Sequence, residues 1–156
     1  MNTIPEFLVG DMLRERGLKL VAAESCTGGL IASRITDVPG SSEYFLGGIV
    51  AYAYEVKVAL LDVPWDTLNS YGAVSRETVM AMSRGARDRL NGDIALSVSG
   101  VAGPGGGSLE KPVGTTWIGL SARPTSCAAW ISRTRVDPSS RSTSTMAICA
   151  ANAYVA

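Results

Sequence analysis

The chain predicts an α/β protein: a three-layer α/β/α sandwich on a mixed, mostly parallel sheet of about five strands. Two observations carry this. From the N-terminus to Val98, apolar runs the length of buried strands alternate with amphipathic segments. Beyond that point two strand-like runs follow one another across a short turn, the pattern of an antiparallel hairpin. A third observation places function within the fold. Glycine-rich turns follow the first and third long strands, at the C-terminal edge of the sheet, where open α/β sheets bind ligands.

Each element has a local reason. Ile4, Phe7, Leu8, Met12 and Leu13 recur at helical spacing, and Gly17 is a C-terminal stop. Leu18 to Ala23 reads as a buried strand, Glu24 to Gly29 as a turn, and Leu30 to Ile35 as a helix. The turn offers backbone N–H groups and the positive end of a helix dipole to an anion; the plainer alternative is an N-cap by Ser25 or Thr27. Pro39-Gly40-Ser41 turns the chain again, and Ile49 to Tyr54 reads as a strand. A short helix follows Val63-Pro64, capped by Asp66 and stopped by Gly72. Ser75 caps a longer helix with Val79, Met82, Ala86 and Leu90 on its apolar stripe, ended by Asn91-Gly92. The Met80/Met82 pair reads as core or interface. Ile94 to Val98 is a strand, Ser99 to Ser108 a glycine-rich loop, and Val113 to Ala122 and Cys127 to Val136 the hairpin. A last helix is expected from Asp137 to Ala156.

Composition narrows the functional classes. A chain of 156 residues with 46% hydrophobic residues forms one domain, 1–156, with a sizeable core. Fourteen basic residues balance fourteen acidic ones, which argues against nucleic acid and membrane surfaces as partners. No apolar run is long enough to span a membrane, and Met1 to Glu6 lacks a signal-peptide pattern, so a cytoplasmic protein is expected. Cys26, Cys127 and Cys149 have neither disulfide-framework nor zinc-ligand spacing, and no metal or other cofactor is expected.

There is no histidine. Hydrolytic chemistry would then need another proton acceptor, and a desolvated lysine is the leading substitute. Ser42, Tyr52 and Lys57 place a hydroxyl, a phenol and an amine at the two ends of the expected Ile49–Tyr54 strand. Lys57 lies between Val56 and Val58, with Leu60 and Leu61 beyond; such packing disfavours the ammonium form. Taken singly, Ser42 reads as turn chemistry and Lys57 as a solvated charge.

Six ordered blocks carry a family resemblance. They are Ala23 to Gly29; Pro39 to Ser42 with Phe45, Gly48 and Val50; Tyr52 with Lys57; Gly72 to Ser75; Ser97 to Gly106; and Glu110 to Thr115. Together they resemble the C-terminal domain of CinA, the competence/damage-inducible protein, and its stand-alone relatives, the nicotinamide mononucleotide deamidases. The resemblance implies metal-free hydrolysis of nicotinamide mononucleotide to nicotinic acid mononucleotide and ammonia by a serine–lysine pair. It puts the family's serine, tyrosine and lysine on Ser42, Tyr52 and Lys57. Substrate contacts are implied at Ser25, Thr27, Gly28, Gly29, Ser99, Gly103, Gly105, Gly106 and Arg141, and a homo-oligomer, a dimer or higher, is expected. The implied small-molecule partner is a pyridine mononucleotide. Two positions depart from the family pattern: Tyr54 stands where asparagine is usual, and Arg141 is the single arginine at the start of the expected last helix. Three rivals remain at this level. Cys26 would be the nucleophile in the first. In the second the chain is a nucleotide-binding or regulatory module without turnover. In the third it is a plain interaction domain with Met80, Met82 and Trp65 as an assembly surface.

Overall fold

The structure, a computed structural model, describes residues 4–123 and 130–135. The elements are α1 (Pro5–Arg16), β1 (Leu20–Glu24), α2 (Leu30–Thr36), a 3-10 turn (Ser41–Glu43), β2 (Phe45–Val50), α3 (Tyr54–Leu61), α4 (Trp65–Tyr71), α5 (Arg76–Arg89), β3 (Ile94–Gly100), β4 (Thr115–Ala122) and β5 (Trp130–Arg135). The five strands form one mixed sheet in the order β2-β1-β3-β4-β5. β1 runs parallel to β2 and β3, while β3/β4 and β4/β5 are antiparallel, so half of the pairings are parallel. β1 lies between β2 and β3, and all five of its residues are buried, as an apolar strand covered on both faces requires.

Alternation along the strands makes two cores. Val21, Ala23 and Ala95 pack with Leu61, Val63, Leu68, Met82 and Ala86 from the α3–α5 layer. Leu20, Ile94 and Leu120 face the other way and pack with Leu13 of α1, Ile35 of α2 and Tyr44. The α/β/α sandwich is therefore present. Met82 is fully buried and Met80 nearly so, which makes the methionine pair core.

Local signals account for most boundaries. Gly17 ends α1 in the left-handed region at φ 64, Gly72 follows α4, and the Ser75 hydroxyl accepts from Thr78 N–H at the start of α5. Two expectations are corrected. Pro64, not Asp66, takes the N-cap position of α4, and no side chain caps it. The second strand spans Phe45–Val50 rather than Ile49–Tyr54, because Tyr44 O already accepts from Leu20 N–H and Ala51 N–H makes the last bond, to Glu24 O. Residues Tyr54–Leu61 are helical, and Lys57 and Leu61, one turn apart, are the buried pair of α3. This helix sits tightly on α5: a Cβ at Gly85 would lie 1.8 Å from Leu61 O. The expected last helix, with Arg141, lies outside the described residues.

Candidate functional site

The site begins where β1 ends. Glu24 is buried, and its carboxylate turns back over the residues that follow. Oε2 accepts from the N–H groups of Gly29 (3.0 Å) and Ile31 (3.1 Å), and Oε1 from that of Ala32 (2.8 Å). A helix start leaves such N–H groups without intrahelical partners. Here a fixed carboxylate fills the positive end of α2, so the expected anion seat at Gly28 and Gly29 is taken by the chain's own side chain. Neither Ser25 nor Thr27 caps the helix; Gly29 holds that position at φ 103, which a residue with a Cβ rarely adopts.

The closed turn fixes Ser25. Its N–H donates to Val98 O of β3, and its carbonyl accepts from Gly28 N–H, both at 3.1 Å. Its hydroxyl meets Lys57, which reaches in from the first half of α3 and is fully buried. Lys57 Nζ lies 3.0 Å from Ser25 Oγ, 2.7 Å from Ala51 O and 2.7 Å from Tyr52 O. No carboxylate pairs with it among the described residues. Burial of this ammonium, opposed by Cys26 where its thiol ionises, lowers the Lys57 pKa from 10.5 to about 8. At pH 7 roughly a tenth of the amine is then neutral. The neutral amine has two N–H donors and one lone pair. The two carbonyls take the two N–H groups, which leaves the lone pair to accept the Ser25 hydroxyl proton.

The sequence-derived candidates divide around this pair. Ser42 is exposed on the 3-10 turn at the N-terminal end of β2. A six-residue strand, roughly 17 Å, separates it from the end of the sheet that carries Ser25 and Lys57. The structure therefore does not bring Ser42 to Lys57; parallel pairing of β1 with β2 makes Ser25 the serine at the correct edge. The Tyr52 phenol is 76% exposed, and this residue touches Lys57 only through its carbonyl. Burial pushes the Cys26 thiol up, helped by the Glu24 charge and opposed by its own N–H and Lys57, so the thiol stays protonated.

Ser99 is buried at the end of β3. Beside it, a Cβ at Gly100 would lie 2.7 Å from Thr115 O, 2.8 Å from Thr116 Oγ1 and 3.2 Å from Cys26 Sγ, so the end of β3 abuts the Ser25–Gly29 turn. Thr27 Oγ1 is buried in that turn without a hydrogen-bond partner among the described residues. Gly103, Gly105 and Gly106 lie in the exposed loop that follows. Its base is pinned by Val101 N–H to Thr115 O (2.9 Å) and Gly114 N–H to Val101 O (2.8 Å). Among the described residues no group of three or more Cys, Asp or Glu side chains is arranged to hold a metal, and no helix is long and apolar enough to cross a membrane.

Comparison with known proteins shows the family and the fold. The family model described as CinA C-terminal domain matches residues 3–153. The chain belongs to the CinA C-terminal domain family. It is 56% identical over 114 residues to a CinA-like protein of Geotalea uraniireducens, covering 73% of this chain and 27% of that protein. A CinA-like protein of Desulfotalea psychrophila is 54% identical over 114 residues, covering 73% and 28%. The chain thus spans well under a third of the length of these curated relatives. In structure it is similar to the competence/damage inducible protein CihA from Agrobacterium tumefaciens. The TM-score is 0.83 and the identity 37%, with coverage of 94% of this chain and 86% of that one. A CinA superfamily protein from Klebsiella pneumoniae gives a TM-score of 0.81 at 34% identity, covering 88% and 84%.

Within this CinA C-terminal domain Tyr54 has a structural task. Its phenol oxygen accepts from Ala73 N–H at 3.1 Å, and its ring stands 6.5 Å from that of Trp65. It thereby ties the start of α3, three residues before Lys57, to the loop between α4 and α5. Sequence reasoning missed Glu24 and the partnership of Ser25 with Lys57. The signals were there: an acid just before a Gly-Gly helix start, and a lysine four residues before a buried leucine.

Proposed function

We propose that this chain is a metal-independent amidohydrolase in which Ser25 is the nucleophile and Lys57 the general base, acting on the carboxamide of nicotinamide mononucleotide to give nicotinic acid mononucleotide and ammonia. The observation that carries the reading is the buried Lys57 amine, held by two carbonyls with its remaining valence on Ser25 Oγ at 3.0 Å. Among the described residues this lysine has only neutral oxygens as hydrogen-bond partners, and no carboxylate.

The chemistry follows from that arrangement. Neutral Lys57 takes the Ser25 proton as Oγ attacks the carboxamide carbon. The resulting ammonium then gives a proton to the departing nitrogen, which leaves as ammonia. Water, deprotonated by the same amine, attacks the ester carbon; the acyl–Oγ bond breaks, the ammonium returns its proton to Ser25 Oγ, and the acid leaves as its carboxylate. Charge developing on the carbonyl oxygen needs donors close to Ser25. Thr27, two residues along the same tight turn and with its Oγ1 unpartnered among the described residues, is the candidate. The substrate class is carried by the family resemblance, the reaction class by the geometry.

Ammonia release from nicotinamide mononucleotide tests the proposal, with wild type, Ser25→Ala and Ser42→Ala assayed side by side in the presence of a chelator. Turnover lost in Ser25→Ala and kept in Ser42→Ala is expected. No turnover in folded wild type, with binding of the nucleotide retained, would instead make the chain a nucleotide-binding module.

A further inference from the structure

A recess lies apart from the serine–lysine pair. The turn between α4 and α5, the start of β4 and the 110–111 segment line this open recess of about 470 Å³, with Tyr71, Arg76, Glu77, Glu110, Lys111 and Trp117 among its walls. That volume is within the range of small-ligand sites.

Its position relative to Ser25 follows from the sheet register. Ser25 continues β1 beyond the Glu24/Val98 pair and so stands beside Ser99 of β3; Ser99 is itself paired with Trp117 of β4. The three residues face one layer. Ser97 Oγ donates to Val79 O of α5, and a Cβ at Gly119 would meet that same oxygen at 3.0 Å. Ser99 and Trp117, each two residues away on its strand, point the same way, as does Ser25, which meets α3 of that layer. Two strand spacings put Trp117 roughly 10 Å from Ser25. That is the span of one aromatic ring plus a pentose.

The lining is unusual for a merely structural groove. Arg76 opens α5, where the helix dipole favours an anion and disfavours a cation. It has no hydrogen-bond or ion-pair partner among the described residues. Lys111 Nζ donates to Tyr71 O at 2.8 Å, and among the described residues its other two N–H groups have no acceptor. Glu77 and Glu110 add carboxylates, so the recess carries both signs of charge. A bare anion would be repelled by these acids. A sugar phosphate suits them, with hydroxyls donating to the carboxylates and phosphate oxygens accepting from the guanidinium and ammonium.

We propose that this recess is the subsite for the pentose-phosphate end of the substrate, with Arg76 and Lys111 as phosphate ligands and Glu77 and Glu110 as acceptors for ribose hydroxyls. The assignment rests on the amidohydrolase reading above and replaces the α2 start as the phosphate seat.

The test compares kcat/KM for nicotinamide mononucleotide with that for the nucleoside lacking the phosphate, in wild type, Arg76→Ala and Lys111→Met. Loss of a phosphate ligand lowers the nucleotide-to-nucleoside ratio by about 10- to 100-fold. Damage to the fold lowers both substrates and leaves the ratio alone, and that outcome overturns the proposal, as does an unchanged pair of values. Arg76→Ala removes a cation from the positive end of a helix and is expected to melt no lower than wild type. A second readout stands apart from turnover: calorimetric titration of wild type, Ser25→Ala and Arg76→Ala with ribose 5-phosphate. Binding to the first two and not to Arg76→Ala upholds the subsite even where no amide is hydrolysed. Absence of binding to wild type overturns it.

Discussion

At the scale of single residues, the proposed amide hydrolysis turns on the protonation of Lys57. Its folded pKa of about 8 means that the base is increasingly available as pH rises. The rate at low substrate is therefore expected to climb with pH, with a limb near 8, and to level above it; a profile that is flat from pH 6 to 9 would remove Lys57 from the role of base. Ser25→Ala is expected to lose about 10³-fold or more in turnover, whereas Ser42→Ala, exposed at the far end of β2, should stay within about twofold of wild type. Glu24 supports the pair without touching substrate. Glu24→Ala leaves three N–H groups of a part-buried helix start without their acceptor, at a cost of about 2 to 4 kcal/mol. A lowered urea midpoint together with lowered turnover is expected. Glu24→Gln, which retains one acceptor oxygen, should recover part of both.

At the scale of elements, the meeting of Lys57 with Ser25 depends on how α3 is seated. Gly85 lets α5 approach the last turn of α3 so closely that a Cβ would lie 1.8 Å from Leu61 O and 2.6 Å from its carbonyl carbon. Neither backbone can yield without moving the other. Gly85→Ala is therefore expected to destabilise by about 3 kcal/mol or more, read as a fall in urea midpoint. In molecules that still fold it should displace Lys57 from Ser25 and reduce turnover. α3 is also where the sequence was hardest to read. Its run from Tyr54 to Leu61 is apolar on nearly every side, and the Ile49–Tyr54 segment before it is rich in β-branched and aromatic residues, so periodicity favoured a strand. Pairing with β1 decided otherwise. By contrast, β1, β3, α1 and α5 were legible because each has its own signal: a short wholly apolar run, or an amphipathic stripe with a serine cap or a glycine stop. The lysine was legible from the absence of histidine and from its apolar neighbours. Its partner was not, since Ser25 and Lys57 are 32 residues apart and meet only through the parallel pairing of β1 with β2 and the packing of α3. Proximity in sequence pointed to Ser42 instead.

At the scale of the whole molecule, a buried amine without a counter-ion makes stability depend on pH in a sense opposite to that of the buried acids. Lys57 titrates near 8 when folded and near 10.5 when unfolded. Between those values the unfolded chain holds a proton that the folded chain does not, so the Lys57 contribution to stability rises with pH across the window and is level below it. Burial raises the pKa of Cys26 above 9.0 and, with lesser help from Asp11 and Glu43 against Arg14, that of Tyr44 above 10.0. For these acids the folded chain holds the extra proton, and stability falls as pH rises through the same region. The summed curve is therefore shallow and does not isolate the amine. A difference between two chains does. In a Cys26→Ser background, the stability of the chain retaining Lys57 should gain on that of Lys57→Met as pH rises from 8 to 10, while the gap between them stays constant from pH 6 to 7. Urea midpoints measured across that range decide the matter: parallel curves throughout would mean that Lys57 ionises in the folded protein as it does in water, and the serine would then have no base beside it at neutral pH.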